Sequence, residues 1–255
     1  MCDVDTKVRD SGKILDKATG TLYGLGIGPG DPELLTVKAV RVLDRVDRIF
    51  APKPETKSSS FAVEIIKDFV KDPGKIEELV FPMTRDVADL RHFWEEAASR
   101  VCSELTMGKD AAFVTLGDPF IYSTYNYLLR NIRRLDKNLK IITIPGISSI
   151  NAASSIMEES LAEGDERFAI MPLPENVEEL KNIFSIFDTV VLLKIGKNLD
   201  QLIRFLKDEG LDDASYFISR IGTSDQYFSK GLSSLKEEVS GYLSTMIVKC
   251  GIKKG

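Results

Sequence analysis

Histidine is nearly absent: the 255 residues contain one, His92. Histidine-based triads and multi-histidine metal sites are excluded by that inventory, and the chemistry must run without them. Cysteine is almost as scarce. Cys2, Cys102 and Cys250 are odd in number and far apart, which supplies neither a disulfide framework nor a zinc-ligand spacing. Reduced thiols and no protein-bound metal are the expectation. No apolar run reaches the roughly 18 residues that a membrane span requires, and the N-terminus lacks the apolar core of a secretory signal. A cytoplasmic location with no membrane partner is therefore expected. There is no basic surplus either, since 34 lysines and arginines stand against 39 aspartates and glutamates, a net charge of -5. That balance argues against a nucleic-acid partner, whose phosphates demand a basic face. It leaves room for a local basic pocket.

What is present is an ordinary globular composition, 43% hydrophobic and 29% charged, in a chain long enough for one large or two smaller cores. Its most informative stretch is Thr21-Leu-Tyr-Gly-Leu-Gly-Ile-Gly-Pro-Gly-Asp-Pro-Glu33, where alternate glycines (Gly24, Gly26, Gly28, Gly30) close an apolar strand. Glycine costs conformational entropy on ordering, so such a run belongs where the main chain must pass close to something, and a ligand is the expected neighbour. Asp31 reads as an N-cap, Pro32 suits a first helical position, and Leu35, Ala39, Val42, Leu43 and Val46 follow at helical spacing. A nucleotide-hydrolase phosphate loop needs Gly-Lys-Ser/Thr, whereas Gly30 is followed by Asp31. A dinucleotide fold needs an acid closing the second strand, and that run ends Ile49-Phe-Ala-Pro-Lys53. Both readings fail.

Strand-like runs at 21–28, 48–52, 76–81, 110–116 and 140–145 alternate with helical stretches near 32–46, 58–71, 88–107 and 120–135. The alternation predicts a largely parallel sheet with helices on its faces. After a short helix at 148–157, strands at 167–172, 188–195, 214–221 and 242–250, with helices near 176–185 and 198–209 and a turn at 232–238, predict a second, mixed sheet. The expected organisation is an extension over 1–20, loosely ordered or a short helix, then two α/β domains, 21–146 and 147–255, meeting at Pro145-Gly146. His92 falls opposite the stripe Leu90, Phe93, Ala97, Val101 and is expected on a wet helix face.

Two further strand ends carry chemistry-bearing turns. The fourth strand runs into Leu116-Gly117-Asp118-Pro119, where Asp118 is placed either to face a ligand or to cap a helix from Pro119. The fifth ends in Ile144-Pro-Gly-Ile-Ser-Ser149, with Ser148 as helix cap or ligand donor. Open parallel sheets bind ligands outside the carboxyl ends of their strands, so the turns at 24–31, 116–119 and 145–149 are expected to converge on one crevice.

In this order and spacing, Gly-Leu-Gly-Ile-Gly-Pro-Gly-Asp with Pro-Glu-Leu-Leu-Thr-Val-Lys-Ala, then Leu-Gly-Asp-Pro, then Ile-Pro-Gly-Ile-Ser-Ser, resemble the tetrapyrrole methylases over roughly residues 20–250. The Gly-Thr-Leu-Tyr-Gly opening, the run Tyr122-Ser-Thr-Tyr125 and Asp188-Thr-Val-Val-Leu-Leu-Lys-Ile-Gly196 are most similar to the precorrin-2 / cobalt-factor II C20-methyltransferase branch. The resemblance implies homodimeric proteins of two α/β domains that hold S-adenosylmethionine in the cleft between domains and methylate a tetrapyrrole. It implies a donor pocket at Leu116, Gly117, Asp118 and Ile121, with Ser123, Thr124 and Ser148 nearby and Ile195 and Gly196 from the second domain. It sends the opening loop, Gly28, Pro29, Gly30 and Asp31, toward the tetrapyrrole. Asp31 is then the candidate to take or relay the proton lost from the methylated carbon, beside its capping role. The substrate's carboxylates call for cations, and Lys53, Arg85, Lys194 and Arg220 lie near strand tips or loops. Relatives often read Glu-Arg-Ile-Gly where this chain has Ser219-Arg-Ile-Gly222, so no acid acts at 219. The alternatives that remain are the same fold acting on another ring carbon, an RNA ribose or a modified protein histidine, and a carrier that binds an anionic ligand without turnover.

Overall fold

The computed structural model describes residues 19–54, 59–82, 87–236 and 238–251, with the backbone alone at 87–89. The N-terminal extension, up to residue 18, and Arg85 lie outside the described residues. Strands β1 (Thr21–Gly26), β2 (Arg48–Lys53), β3 (Ile76–Val80), β4 (Ala111–Thr115) and β5 (Lys140–Ile144) form a wholly parallel sheet in the order β3-β2-β4-β1-β5. Helices α1 (Val37–Arg45), α2 (Phe61–Ile66), α3 (Val87–Thr106) and α4 (Tyr125–Leu135) cover it. Alternation along β1 sends Tyr23, Leu25 and Ile27 to the face packed by Val42 and Leu43 of α1 and Ile65 and Ile66 of α2. Leu22 points the other way, among Val101 and Leu105 of α3 and Leu128 and Ile132 of α4. Each such fully buried side chain contributes ~1.5–3 kcal/mol.

The glycines at 24 and 26 share the face of Leu22, and the protein's own atoms occupy the space beside them. A Cβ on Gly24 would lie 2.3 Å from the Tyr125 ring, and one on Gly26 would lie 2.5 Å from the Gly146 nitrogen and 2.6 Å from the Gly117 oxygen. Close approach is the reason for these glycines, as expected, but the neighbour is a tyrosine and two crossing loops.

The second sheet, β6 (Phe168–Pro172), β7 (Thr189–Leu193), β8 (Ser215–Ser219), β9 (Tyr227–Lys230) and β10 (Ser244–Lys249), has the order β6-β7-β10-β8-β9. Only the β6–β7 pair is parallel, so the sheet is mixed as expected. Helix α5 (Ser149–Met157) packs Ile150 and Ala153 on one face, against Val191, Ile218 and Ile247. Helices α6 (Leu180–Ile186) and α7 (Leu199–Asp208) close the other through Leu180, Phe184, Leu202 and Leu206.

Several boundaries differ from the sequence reading, each for a local reason. Asp31 caps only a single 3-10 turn, Pro32–Leu34; Leu35 is extended, and α1 starts afresh behind Thr36, whose hydroxyl accepts from the Ala39 nitrogen at 3.1 Å. The helix expected from residue 120 starts at Tyr125, because Tyr122 takes a left-handed conformation (φ 50°) and breaks the preceding turn. Strands β7 and β8 stop at Leu193 and Ser219, since Lys194 (φ 55°) and Arg220 (φ 49°) do the same. Strand β9, a four-residue edge strand with three polar-tipped side chains, carries too little apolar pattern to be read from sequence.

Candidate active site

Neighbouring strands β1 and β4 are followed by helices on opposite faces of the sheet, α1 and α4. That reversal opens a crevice beyond their carboxyl ends. The three turns meet there. The Gly117 N–H donates to the Gly28 carbonyl at 2.8 Å, and Gly26, Gly117 and Gly146 stand in main-chain contact. Asp118 joins two of the turns, for its carboxylate accepts from the Phe120 nitrogen at 2.9 Å and from the Gly146 nitrogen at 3.2 Å. No helix begins at Pro119 for it to cap; the carboxylate braces loop against loop.

The crevice is roofed by the ends of β7, β8 and β10, enclosing a cleft of about 400 Å³, a size typical of small-molecule sites. Leu116, Ile121, Leu193 and Leu243 make its walls largely apolar, while Asp118, Lys194 and Arg220 bring charge. Among the described residues five non-glycine residues have positive φ, and four of them, Tyr122, Lys194, Arg220 and Leu243, line this cleft. Each costs on the order of 1 kcal/mol or more. Main-chain bonds hold the strained segments in place: Arg220 N to Leu243 O at 2.9 Å, and Gly196 N to Gly241 O at 3.0 Å. Gly196, itself at φ 55°, has nothing within 4 Å of where a Cβ would project.

Of the residues singled out as donor-binding, Leu116, Gly117, Asp118, Ile121, Ser148 and Gly196 line the cleft. Ser148 both caps α5, accepting from the Ile150 nitrogen at 3.2 Å, and faces the cavity. Ser123 is buried against Thr115 (2.7 Å between hydroxyls) and edges an adjoining groove instead. Thr124 sits at the start of α4, and Ile195 packs in the core with Leu199 and Leu202. Of the substrate candidates, Pro29, Lys194 and Arg220 reach the cleft, while Arg220 also pairs with Asp225 at 3.3 Å. Lys53 is held by Glu78 at 3.1 Å. Gly28 is engaged by Gly117, and Gly30 packs on the Ile221 carbonyl. Asp31 borders a second groove that shares Ile221 with the cleft. His92 is exposed, 3.9 Å from Glu96. Tyr122, Leu193, Leu243 and Thr245 line the cleft unforeseen. Their signal was positional, in that three of them adjoin or end the second sheet's strands.

A small-molecule cleft between a parallel and a mixed sheet thus defines an α/β protein built to hold ligands where two domains face each other. The tetrapyrrole (corrin/porphyrin) methylase family matches residues 21–235, and the chain belongs to that family of methyltransferases. It is 35% identical to a probable cobalt-precorrin-2 C(20)-methyltransferase of Methanocaldococcus jannaschii, covering 92% of this chain and 98% of that one. It is 29% identical to a precorrin-2 C(20)-methyltransferase of Sinorhizobium sp, covering 90% and 95%. Among solved structures, uroporphyrin-III C-methyltransferase of Thermus thermophilus complexed with S-adenosyl homocysteine shares the fold, with a TM-score of 0.62 at 17% identity over 92% of this chain and 100% of that one.

Proposed function

We propose that the protein transfers a methyl group from S-adenosylmethionine to C20 of precorrin-2 or its cobalt-bearing counterpart, in corrin biosynthesis. The observation that carries this reading is the assembly of Leu116, Gly117, Asp118, Ser148 and Gly196 around one cleft of ligand size. It is supported by the names of relatives that align over about nine-tenths of the chain. The cleft fits the donor chemically. Apolar walls and a side-chain-free stretch at Gly196 suit a flat base and ribose, and fixed main-chain groups suit the amino-acid end.

When bound, S-adenosylmethionine would supply a methyl group on a sulfonium, to which the electron-rich ring carbon would bond as the methyl–sulfur bond breaks and S-adenosylhomocysteine leaves as a neutral thioether. The protein's part is alignment, and holding two reactants at near-attack distance is worth on the order of 7–11 kcal/mol of the barrier. In this reading Asp118 keeps the 116–119 and 145–149 loops at fixed spacing around the donor, Lys194 and Arg220 hold substrate carboxylates, and Asp31 receives the proton that leaves C20. Residues 21–146 and 147–255 act as the two domains, and the protein works as a cytoplasmic homodimer with neither nucleic acid nor membrane as partner.

Incubation of the purified protein with S-adenosylmethionine and precorrin-2 or cobalt-factor II tests this. The expected result is a mass gain of one methyl group, with a labelled methyl placed at C20 by NMR. Tetrapyrrole binding without formation of S-adenosylhomocysteine would make it a carrier and sink the proposal.

A further inference from the structure

Beside the cleft lies the adjoining groove edged by Ser123, about 460 Å³ in volume and running along the start of α4. Ile121, Tyr122 and Lys194 line both, so the two are separated only by this strip of side chains. Tyr122 bridges the strip, its left-handed backbone (φ 50°) directing its hydroxyl to the Ile170 carbonyl of β6 at 3.3 Å. The floor and walls beyond it are Phe120, Asn126, Tyr127 and Arg130. Phe120, Tyr122 and Tyr127 are among the exposed large hydrophobic side chains of the described residues.

The charge of this groove is one-sided. Arg130 and Lys194 line it, and no aspartate or glutamate does, although the chain as a whole is acidic. Among the described residues neither cation makes an ion pair; Arg130 lies over the Tyr127 ring at 6.0 Å, and Tyr127 in turn stacks on Trp94 at 4.3 Å. A guanidinium beside a supported aromatic stack and without an ion-pair partner has the planar fork of N–H groups that meets a carboxylate. Aromatic walls beside unpaired cations suit an anion with a large conjugated body.

We infer that this groove is a subsite for the carboxylate-bearing rim of a conjugated macrocycle, with Arg130 and Lys194 as its anchors. The inference rests on the proposed function and goes beyond it by assigning Arg130, Tyr127 and the α4 face to substrate recognition. Lys194, standing between groove and cleft, ties the anchored rim to the reacting edge. Tyr122 sets the spacing between them.

The test is a titration of cobalt-factor II, followed by absorbance, against wild type and the Arg130→Gln and Lys194→Gln variants, with S-adenosylhomocysteine affinity measured in parallel. A lost charge-assisted hydrogen bond corresponds to about 10- to 140-fold. Each variant is expected to weaken tetrapyrrole binding by that factor and to flatten its salt dependence, and Arg130→Gln, which lies outside the cleft, to leave S-adenosylhomocysteine affinity unchanged. Phe120→Ala, which leaves both cations in place, separates ring contact from charge and is expected to weaken binding without altering the salt slope. Unchanged tetrapyrrole affinity in both charge variants, with wild type binding normally, overturns the subsite alone; failure of wild type to bind any tetrapyrrole overturns the proposed function. If the variants instead change the sedimentation coefficient and nothing else, the groove is covered by a second copy of the chain and the subsite is likewise refuted.

Discussion

Gly222 lies directly against the main chain of Asp31: a Cβ on Gly222 would stand 2.1 Å from the Asp31 nitrogen. The contact is reciprocal, because a Cβ on Gly30 would stand 2.1 Å from the Ile221 oxygen. The opening glycine loop of the first sheet and the turn after β8 therefore dovetail, backbone on backbone, where Pro29 and Ile221 line the cleft and Asp31 and Gly222 line the neighbouring groove.

Gly222→Ala is expected to break this joint. Gly222 has φ 76° and no flexible neighbour to yield, so a loss of at least ~2 kcal/mol of stability and a marked loss of donor affinity should follow. Gly164→Ala is the control, having positive φ (53°) but nothing within 4 Å, and should cost only ~1 kcal/mol. Denaturant titration of both separates backbone strain from collision.

Asp118→Ala removes two hydrogen bonds, one within its own turn to the Phe120 nitrogen and one across to the Gly146 nitrogen of the neighbouring loop. A stability loss of ~1–3 kcal/mol is expected, together with weaker S-adenosylhomocysteine binding by calorimetry. Loss of stability with unchanged affinity would reduce Asp118 to a loop brace.

Asp31→Ala should behave differently. The carboxylate accepts one bond, from the Glu33 nitrogen at 2.8 Å in a short exposed turn, so ~1 kcal/mol or less of stability is at stake. Turnover should fall at least about tenfold with donor affinity intact, consistent with loss of a general base. Single-turnover methylation rates decide it, and a rate equal to wild type removes Asp31 from the chemistry.

Gly196→Ala places a methyl group into open space beside the cleft at φ 55°. Folding should suffer by only ~1 kcal/mol, whereas S-adenosylhomocysteine binding should weaken about tenfold or more if the donor passes over this residue.

A pH signature is expected at Glu159, remote from the cleft. The Tyr216 hydroxyl, and after it the Lys230 ammonium at 3.0 Å, hold its carboxyl below the ordinary range. A depressed carboxylate stabilises the fold above its unfolded pKa of about 4.3, and that contribution is lost as pH falls through the lower folded value. Glu159→Gln should lower Tm at neutral pH and converge on wild type in acid. Melting curves from pH 7 down to about 3 give the comparison, and parallel curves would show the pair contributes nothing.

Much of the site was legible because its loops follow strand ends. Leu116, Gly117, Asp118 and Ser148 were found by asking what stands where a parallel strand meets its helix, a local question with a local answer. Ser123 and Ile195 sit one or two residues from cleft-lining neighbours, yet one is turned to Thr115 and the other into the core. Their orientation depends on the left-handed residues Tyr122 and Lys194, and nothing in a tyrosine or a lysine announces positive φ. Lys53 reads like any loop cation until Glu78, 25 residues on, is seen to hold it. The glycines were read correctly as points of close approach, but what comes close at Gly24 is the Tyr125 ring, from a helix a hundred residues away.

By itself, then, the sequence determined the alternation of strands and helices, the two sheets and the chemistry available at their tips, because apolar periodicity, caps and glycine placement act over a few residues. Which glycine meets which backbone, which side chains turn into the cleft, and which cations stay unpaired were decided only when distant segments packed, because steric exclusion and charge pairing are set by neighbours in space.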